Sequence, residues 1–208
     1  MFDNAANDLR AAYLSTLEQI KARSNRAELP HTSLGSEHFF DWAVIENIYQ
    51  GRGLPYLADE EVQLTGERHG GAILVEFLDV TPLSIIESQL ARLSSAGYIP
   101  IIAHPERYQQ VWERPELVER LQDMGCVALL DSAALVGKYG QRPQESARLL
   151  LEQGVYHAAC SDAHRPGDVR FVSDAMAWIR DHFDADELDL LFRSGPSHIL
   201  NGRRPPSL

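Results

Sequence analysis

Five residues of metal-ligating type stand at or just past the ends of short apolar runs: Glu37, Glu76, His104, Asp162 and His164. The run Ile99 to Ala103 delivers His104 and stops at Pro105, and Val155 to Cys160 delivers Ser161-Asp162-Ala163-His164 in the same way. A third run, AILVEF, carries Glu76, and Glu37 and His38 follow Thr32 to Ser36. Taken singly, each has a plainer role: a rim glutamate can cap a helix or stay solvated, and a histidine before proline can bond a loop. Glu37 and His38 read that way on their own, and Glu76 is evenly balanced. Several ligand types at several strand ends favour a metal instead. Carboxylates with imidazoles suit Mn, Fe or Zn and carry no thiolate signature. Three residues past His104 stands Arg107, and Arg165 and Arg170 follow the Asp-x-His pair. A guanidinium beside a metal site clamps phosphoryl oxygens, although each of these can also pair with a rim acid such as Glu106 or Asp168, which is the reading for Arg165. His157, inside an apolar run, reads as a satisfied core histidine; His31, His69, His182 and His198 take no role.

The elements that must position these residues alternate regularly. Leu9, Tyr13, Leu17 and Ile20 mark one face of an opening helix over 5–23. Thr32 to Ser36 reads as a short strand, Phe39 to Gln50 as a helix stopped by Gly51 and Gly53, and Leu54 to Glu67 as irregular or hairpin-like. Ala72 to Phe77 is a strand, and Thr81-Pro82 caps a helix with Leu83, Ile86, Leu90 and Leu93 inward. The Ile99 strand, a helix from Pro115 closed by Gly125, the strand Cys126 to Leu130, a helix from Pro143 to Gln153 closed by Gly154 and the strand Val155 to Cys160 follow. Helices over Phe171 to Asp181 and Asp184 to Arg193 lead to a last short strand, Ser197 to Leu200. Strands alternating with helices build a parallel sheet. Six strands with reactive residues at their C-terminal ends, and no glycine-rich phosphate loop, fit a TIM-like α/β barrel better than an open doubly wound sheet.

The 208 residues make one domain, residues 1–208, and no apolar run approaches the ~18 residues of a membrane span. The N-terminus lacks a signal peptide, so the cytoplasm is the expected location. A net charge of −11 argues against a nucleic-acid surface. Cys126 and Cys160 lie in apolar runs without ligand spacing and read as buried thiols. Neither is followed by the anion-binding loop of a cysteine-dependent phosphatase.

Gly35-Ser36-Glu37, Val75-Glu76-Phe77, His104-Pro105-Glu106-Arg107-Tyr108 and Ser161-Asp162-Ala163-His164, in this order, resemble the PHP (polymerase and histidinol phosphatase) superfamily. Within it the likeness is to the bacterial capsule- and exopolysaccharide-associated protein-tyrosine phosphatases, and it runs along the whole chain. The resemblance implies a distorted (β/α)7 barrel with a cluster of metals, manganese first, at its C-terminal rim. It makes Glu76 a bridging carboxylate, Glu37 and His104 ligands of one metal, Asp162 of a second and His164 of a third. Arg107 would contact phosphate, as would Arg170, whose offset from His164 is one residue longer than the family pattern. The family opens on a His-x-His strand and a second strand ending in histidine, neither of which is present. At ~30 residues per βα unit, about 60 residues are then missing and the barrel is incomplete. An open barrel wall leaves Leu34 and the first helix to be covered by another chain, so self-association is expected.

The function the resemblance implies is hydrolysis of phosphotyrosine on the tail of a bacterial tyrosine kinase of polysaccharide export, impaired where metal ligands are lost. Its rivals are a non-catalytic relic that binds the kinase or another partner, and a phosphatase for small esters such as histidinol phosphate.

Overall fold

Five parallel strands in the order β1-β2-β3-β4-β5 form the sheet: β1 Glu37–Phe39, β2 Gly71–Glu76, β3 Tyr98–Ala103, β4 Val127–Asp131 and β5 Ala158–Cys160. The computed structural model describes residues 2–24, 32–40, 42–50, 52–56, 71–78 and 80–206, with side chains from residue 8 onward. From β2 onward strands alternate with helices because apolar runs of three to six residues are followed by stretches with apolar residues at helical spacing. Between β2 and β3 lies the helix Leu83–Ser95, which turns Ile86, Leu90 and Leu93 into the core. Full burial of a leucine there is worth roughly 1.5–3 kcal/mol. The helices Glu116–Asp123 and Gln141–Glu152 cover the next two crossovers.

The sheet has two different faces. Ile73, Val75, Ile102, Ala128 and Leu130 pack against the helices in the main core. On the opposite face Ala72, Leu74, Ile101, Ala103, Val127, Leu129 and Ala158 form a second apolar layer, joined by Ile199. This alternation, set by the period of two along a strand, decides which strand-end residues can meet.

Several boundaries differ from the sequence reading. Residues 32–36 are not a strand; the strand begins at Glu37 itself, which therefore lies within β1 rather than after it. The next helix is shorter, Trp42–Tyr49. Pro82, not Thr81, occupies the capping position before Leu83, and no side chain caps that helix. Tyr56 makes an isolated antiparallel bridge to Ala72, while residues 57–70 of the expected irregular stretch lie outside the described residues. The last expected strand, Ser197 to Leu200, is the helix Gly195–Leu200, so five strands are seen rather than six among the described residues. Four residues are too few for periodicity to tell the two apart. Pro196 in the first turn and the preceding helical segments Ala185–Asp189 and Leu190–Ser194 carry the chain on as helix. Ile199 then plugs the layer beneath β2 and β5.

Candidate metal centre

Alternation puts three acids on one face, and a fourth follows just past a strand end. Glu37 pairs in register with Leu74, and Glu76 stands two residues beyond Leu74. Asp131 lies two beyond Leu129, and Asp162 two beyond Cys160. Glu37, Glu76 and Asp131 continue the face that carries the second apolar layer, whereas Asp162 lies past the end of β5 and is turned by its own positive φ. His104 breaks the pattern: it follows Ala103, already on that face, so a continued strand would aim it at the helices. Instead His104 turns left-handed at φ 32°, ψ 61°, and the chain enters the one-turn helix Pro105–Arg107. Asp162 is the only other described non-glycine residue with positive φ, at 41°. Such conformations cost of order 1–3 kcal/mol and gather at functional sites; His and Asp tolerate them better than most.

The turn brings His104 Nε2 to 3.3 Å from Glu37 Oε1 and 3.7 Å from Glu76 Oε1. One ligand atom from each of the three residues lies within 4.8 Å of the others, the grouping a single cation needs. The His104 hydrogen bond lowers the pKa of Glu37 against the opposing effect of burial. Burial raises that of Glu76, against the attraction of His104. Burial pulls the imidazole down, but the Glu37 hydrogen bond and the charges of Glu106 and Glu76 leave it raised overall. Two carboxylates converge on one ring nitrogen, and the other nitrogen, Nδ1, is buried with no hydrogen-bond partner among the described residues. A divalent cation would satisfy the converging oxygens better than one proton, and the donor set fits Mn, Fe or Zn. Glu37, Glu76 and His104 therefore fit a metal.

The remaining predicted residues fall elsewhere. Asp162 is engaged by Arg107, with Nη1 2.9 Å from its Oδ2. The same Nη1 lies 3.7 Å from Asp131 Oδ2, and the guanidinium sits 4.6 Å above the Tyr139 ring. His164 is exposed; its Nδ1 is 2.9 Å from the Asp162 carbonyl oxygen, and it stays outside the three-residue grouping. Arg170 is exposed, with its guanidinium 4.8 Å over Phe171. Arg165 meets Asp168 through its backbone N–H, 3.2 Å from Oδ2, and it is the Lys138 ammonium, at 3.3 Å, that pairs with this carboxylate. His38 is likewise structural: Nδ1 lies 3.0 Å from the Leu74 carbonyl oxygen and Nε2 accepts from Leu54 N–H. Sequence reasoning missed Asp131 and Tyr139. Asp131 ends an apolar run as Glu76 does, which was the available signal.

Glu76 at the C-terminal end of β2, His104 just past that of β3 and Glu37 from the short β1, with a guanidinium alongside, define an α/β protein of metal-assisted chemistry. The chain belongs to the CpsB/CapC family of capsular polysaccharide synthesis, which matches residues 3–201. It is 26% identical to the tyrosine-protein phosphatase YwqE of Bacillus subtilis over 94% of this chain and 75% of that one. To the tyrosine-protein phosphatase CpsB of Streptococcus agalactiae it is 30% identical, over 61% of this chain and 55% of that one. A solved structure from work on YwqE of Bacillus subtilis and CpsB of Streptococcus pneumoniae, called there unique metal-dependent tyrosine phosphatases, superposes with a TM-score of 0.74. That match has 25% identity and covers 92% of this chain and 73% of the other.

Proposed function

We propose that the chain is a metal-dependent phosphatase that hydrolyses phosphotyrosine on a bacterial tyrosine kinase of capsule or exopolysaccharide synthesis, working in the cytoplasm with manganese. The observation that carries this is the convergence of Glu37, Glu76 and His104 beside Arg107. The kinships named above support the substrate class. Residues 1–208 are read as one domain, and the five strands as the part of a (β/α)7 barrel that follows its first two. No helix of the described residues is long and apolar enough to cross a membrane.

Glu37, Glu76 and His104 would hold the cation, with Asp162 and His164 as further ligands on the β5 side. A bound divalent cation supplies an activated water and neutralises charge on phosphoryl oxygens. The Arg107 guanidinium meets an equatorial oxygen in its planar fork, and Asp162, Asp131 and the Tyr139 ring keep that fork in place. Arg170, exposed on the segment after β5, is the proposed second phosphate contact. The phenolate, with a pKa of about 10, leaves readily. No thiol competes as nucleophile: burial pushes the Cys126 thiol up to about 12 and raises Cys160 as well.

The test is turnover of p-nitrophenyl phosphate and of a phosphotyrosine peptide with added Mn²⁺. Chelator should abolish it and iodoacetamide should leave it intact. Loss on alkylation, full activity in chelator, or neither turnover nor metal uptake would overturn the reading. Metal uptake without turnover would select the non-catalytic binder.

A further inference from the structure

We infer that Glu106 is a positioning residue that sets the aim of both His104 and Arg107. Its side chain is not in the three-residue cluster, and its carboxyl is spent elsewhere. Oε1 accepts the Asp131 backbone N–H at 2.9 Å, and Oε2 accepts the Tyr156 hydroxyl at 2.8 Å. The Glu106 carbonyl accepts the Trp112 indole N–H at 2.6 Å. Glu106 and Asp131 are both fully inaccessible, and Tyr156 nearly so.

Where these bonds fall is the point. Glu106 is the middle residue of the single turn Pro105–Arg107, whose first flank is left-handed His104 and whose last residue is Arg107. The turn itself is closed by only two backbone bonds, Arg107 N–H to His104 O at 3.0 Å and Tyr108 N–H to Pro105 O at 3.1 Å. A one-turn helix is a weak hold for a strained residue. The Glu106 carboxyl ties that turn to the end of β4 and to the segment before β5. It thereby fixes the peptide of Asp131, whose own carboxyl faces Arg107. One buried group thus sets the relation among the imidazole, the guanidinium and one of the guanidinium's acids.

Burial of a carboxyl makes poor sense as stability alone. With no solvent contact, the group carries a desolvation cost that an apolar side chain would not. Fully satisfied buried polar groups instead select one arrangement of their surroundings.

The experiment compares Glu106→Gln, Glu106→Ala and Tyr156→Phe, each checked for fold by circular dichroism. The first readout is the Arg107 Nε–H resonance in proton–nitrogen spectra, assigned by its disappearance in Arg107→Lys. The second is Mn²⁺ affinity by calorimetry. Glu106→Gln, which keeps an acceptor for Asp131 N–H, should retain the dispersed Arg107 signal and most of the affinity. Glu106→Ala should lose the signal and weaken Mn²⁺ binding by about 10–100-fold. Tyr156→Phe, which preserves packing, should fall between them, and it decides the matter if the alanine variant does not fold. A folded alanine or phenylalanine variant with a lower melting temperature but both readouts unchanged would make Glu106 merely structural and overturn the inference. The metal arm rests on the proposed function; the arginine arm does not. A parent that takes up no Mn²⁺ therefore counts against the function, and the Arg107 signal alone then decides on Glu106.

Discussion

Arg107 Nη1 lies 2.9 Å from Asp162 Oδ2, joining the turn after β3 to the loop after β5 across 55 residues. With Asp131 at 3.7 Å and the Tyr139 ring at 4.6 Å, the guanidinium is held from three directions before any substrate arrives. A clamp already in place loses little freedom when it meets a phosphoryl group. The other oxygen of Asp162, Oδ1, lies 3.8 Å from His164 Nδ1.

The first prediction concerns this clamp. Arg107→Ala should lower kcat/KM for p-nitrophenyl phosphate by about 10²–10³-fold, the cost of losing one charge-stabilising donor. Arg107→Lys should recover only part of it, because an ammonium cannot reproduce a planar fork that meets Asp162 and Asp131 through Nη1 and keeps other N–H groups for the proposed phosphoryl contact. Steady-state kinetics of the three proteins decide it. A lysine variant equal to the parent would mean that charge alone matters here.

The second concerns metal removal. Glu37 opens β1, Glu76 ends β2 and His104 follows β3, so a cation held by all three would tie β1, β2 and the turn after β3 together. At 100 times its dissociation constant, Mn²⁺ should stabilise the fold by about 2.7 kcal/mol. That raises the melting temperature by roughly 5–10 °C in a domain of this size. Glu76→Ala should remove most of the shift. Calorimetry with Mn²⁺ and with chelator would refute this if the two traces coincide.

How far the sequence revealed this site follows from where each residue finds its partners. Glu76, His104 and Asp162 stand out because a short apolar run ends beside each, a signal carried by neighbours in the chain. The closures at Gly125 and Gly154 were equally readable, and both adopt the positive φ that such helix ends require. Asp131 carried the same run-end signal and was passed over, while the tasks of Asp131 and Glu106 were not readable at all. Their roles come from contacts 24 to 50 positions away, to Arg107 and Tyr156, which no local pattern encodes. The approach of His104 to Glu37, implied by the family resemblance, was hidden from the strand pattern for a different reason. Strand alternation points it the wrong way, and only a backbone conformation invisible in the residue types reverses it. The helix Gly195–Leu200 was misread because four residues fit either period.

A third prediction is pH dependence of stability. His157 is 2% exposed, and its Nδ1 lies 3.4 Å from the Ala128 backbone N–H, which makes that nitrogen an acceptor in a neutral ring. Burial, with some help from the charge of Arg204, lowers its pKa to about 4. The unfolded chain, near pKa 6.5, binds the proton first, so stability is complete above about pH 6.5 and falls as pH drops toward 4. The loss from this group alone is at most about 3 kcal/mol. His157→Gln should flatten urea-unfolding free energies between pH 6.5 and 4 relative to the parent. Parallel curves for the two proteins would show that other groups govern acid lability.

The last prediction tests how the helix Gly195–Leu200 is seated. A Cβ on Gly195 would stand 1.9 Å from the His157 carbonyl oxygen and 2.5 Å from that of Leu190. Both obstacles are backbone, so no rotamer change relieves them, and the helix or the approach to β5 must move. Movement there lifts Ile199 from the layer beneath β2 and β5 and disturbs the strand that leads to Asp162. Gly195→Ala should therefore cost about 3 kcal/mol or more, the upper end for overpacking. That corresponds to a melting temperature lower by roughly 6–12 °C. Gly154→Ala is the control: nothing lies within 4 Å of its Cβ position, and only its φ of +67° opposes the change. The control should lose about 1–2 kcal/mol, from left-handed strain alone. Differential scanning calorimetry of both variants, with Mn²⁺ affinity measured alongside, checks the argument. If Gly195→Ala melts at or above Gly154→Ala, the helix has room to shift and the close approach to His157 does not hold it in place.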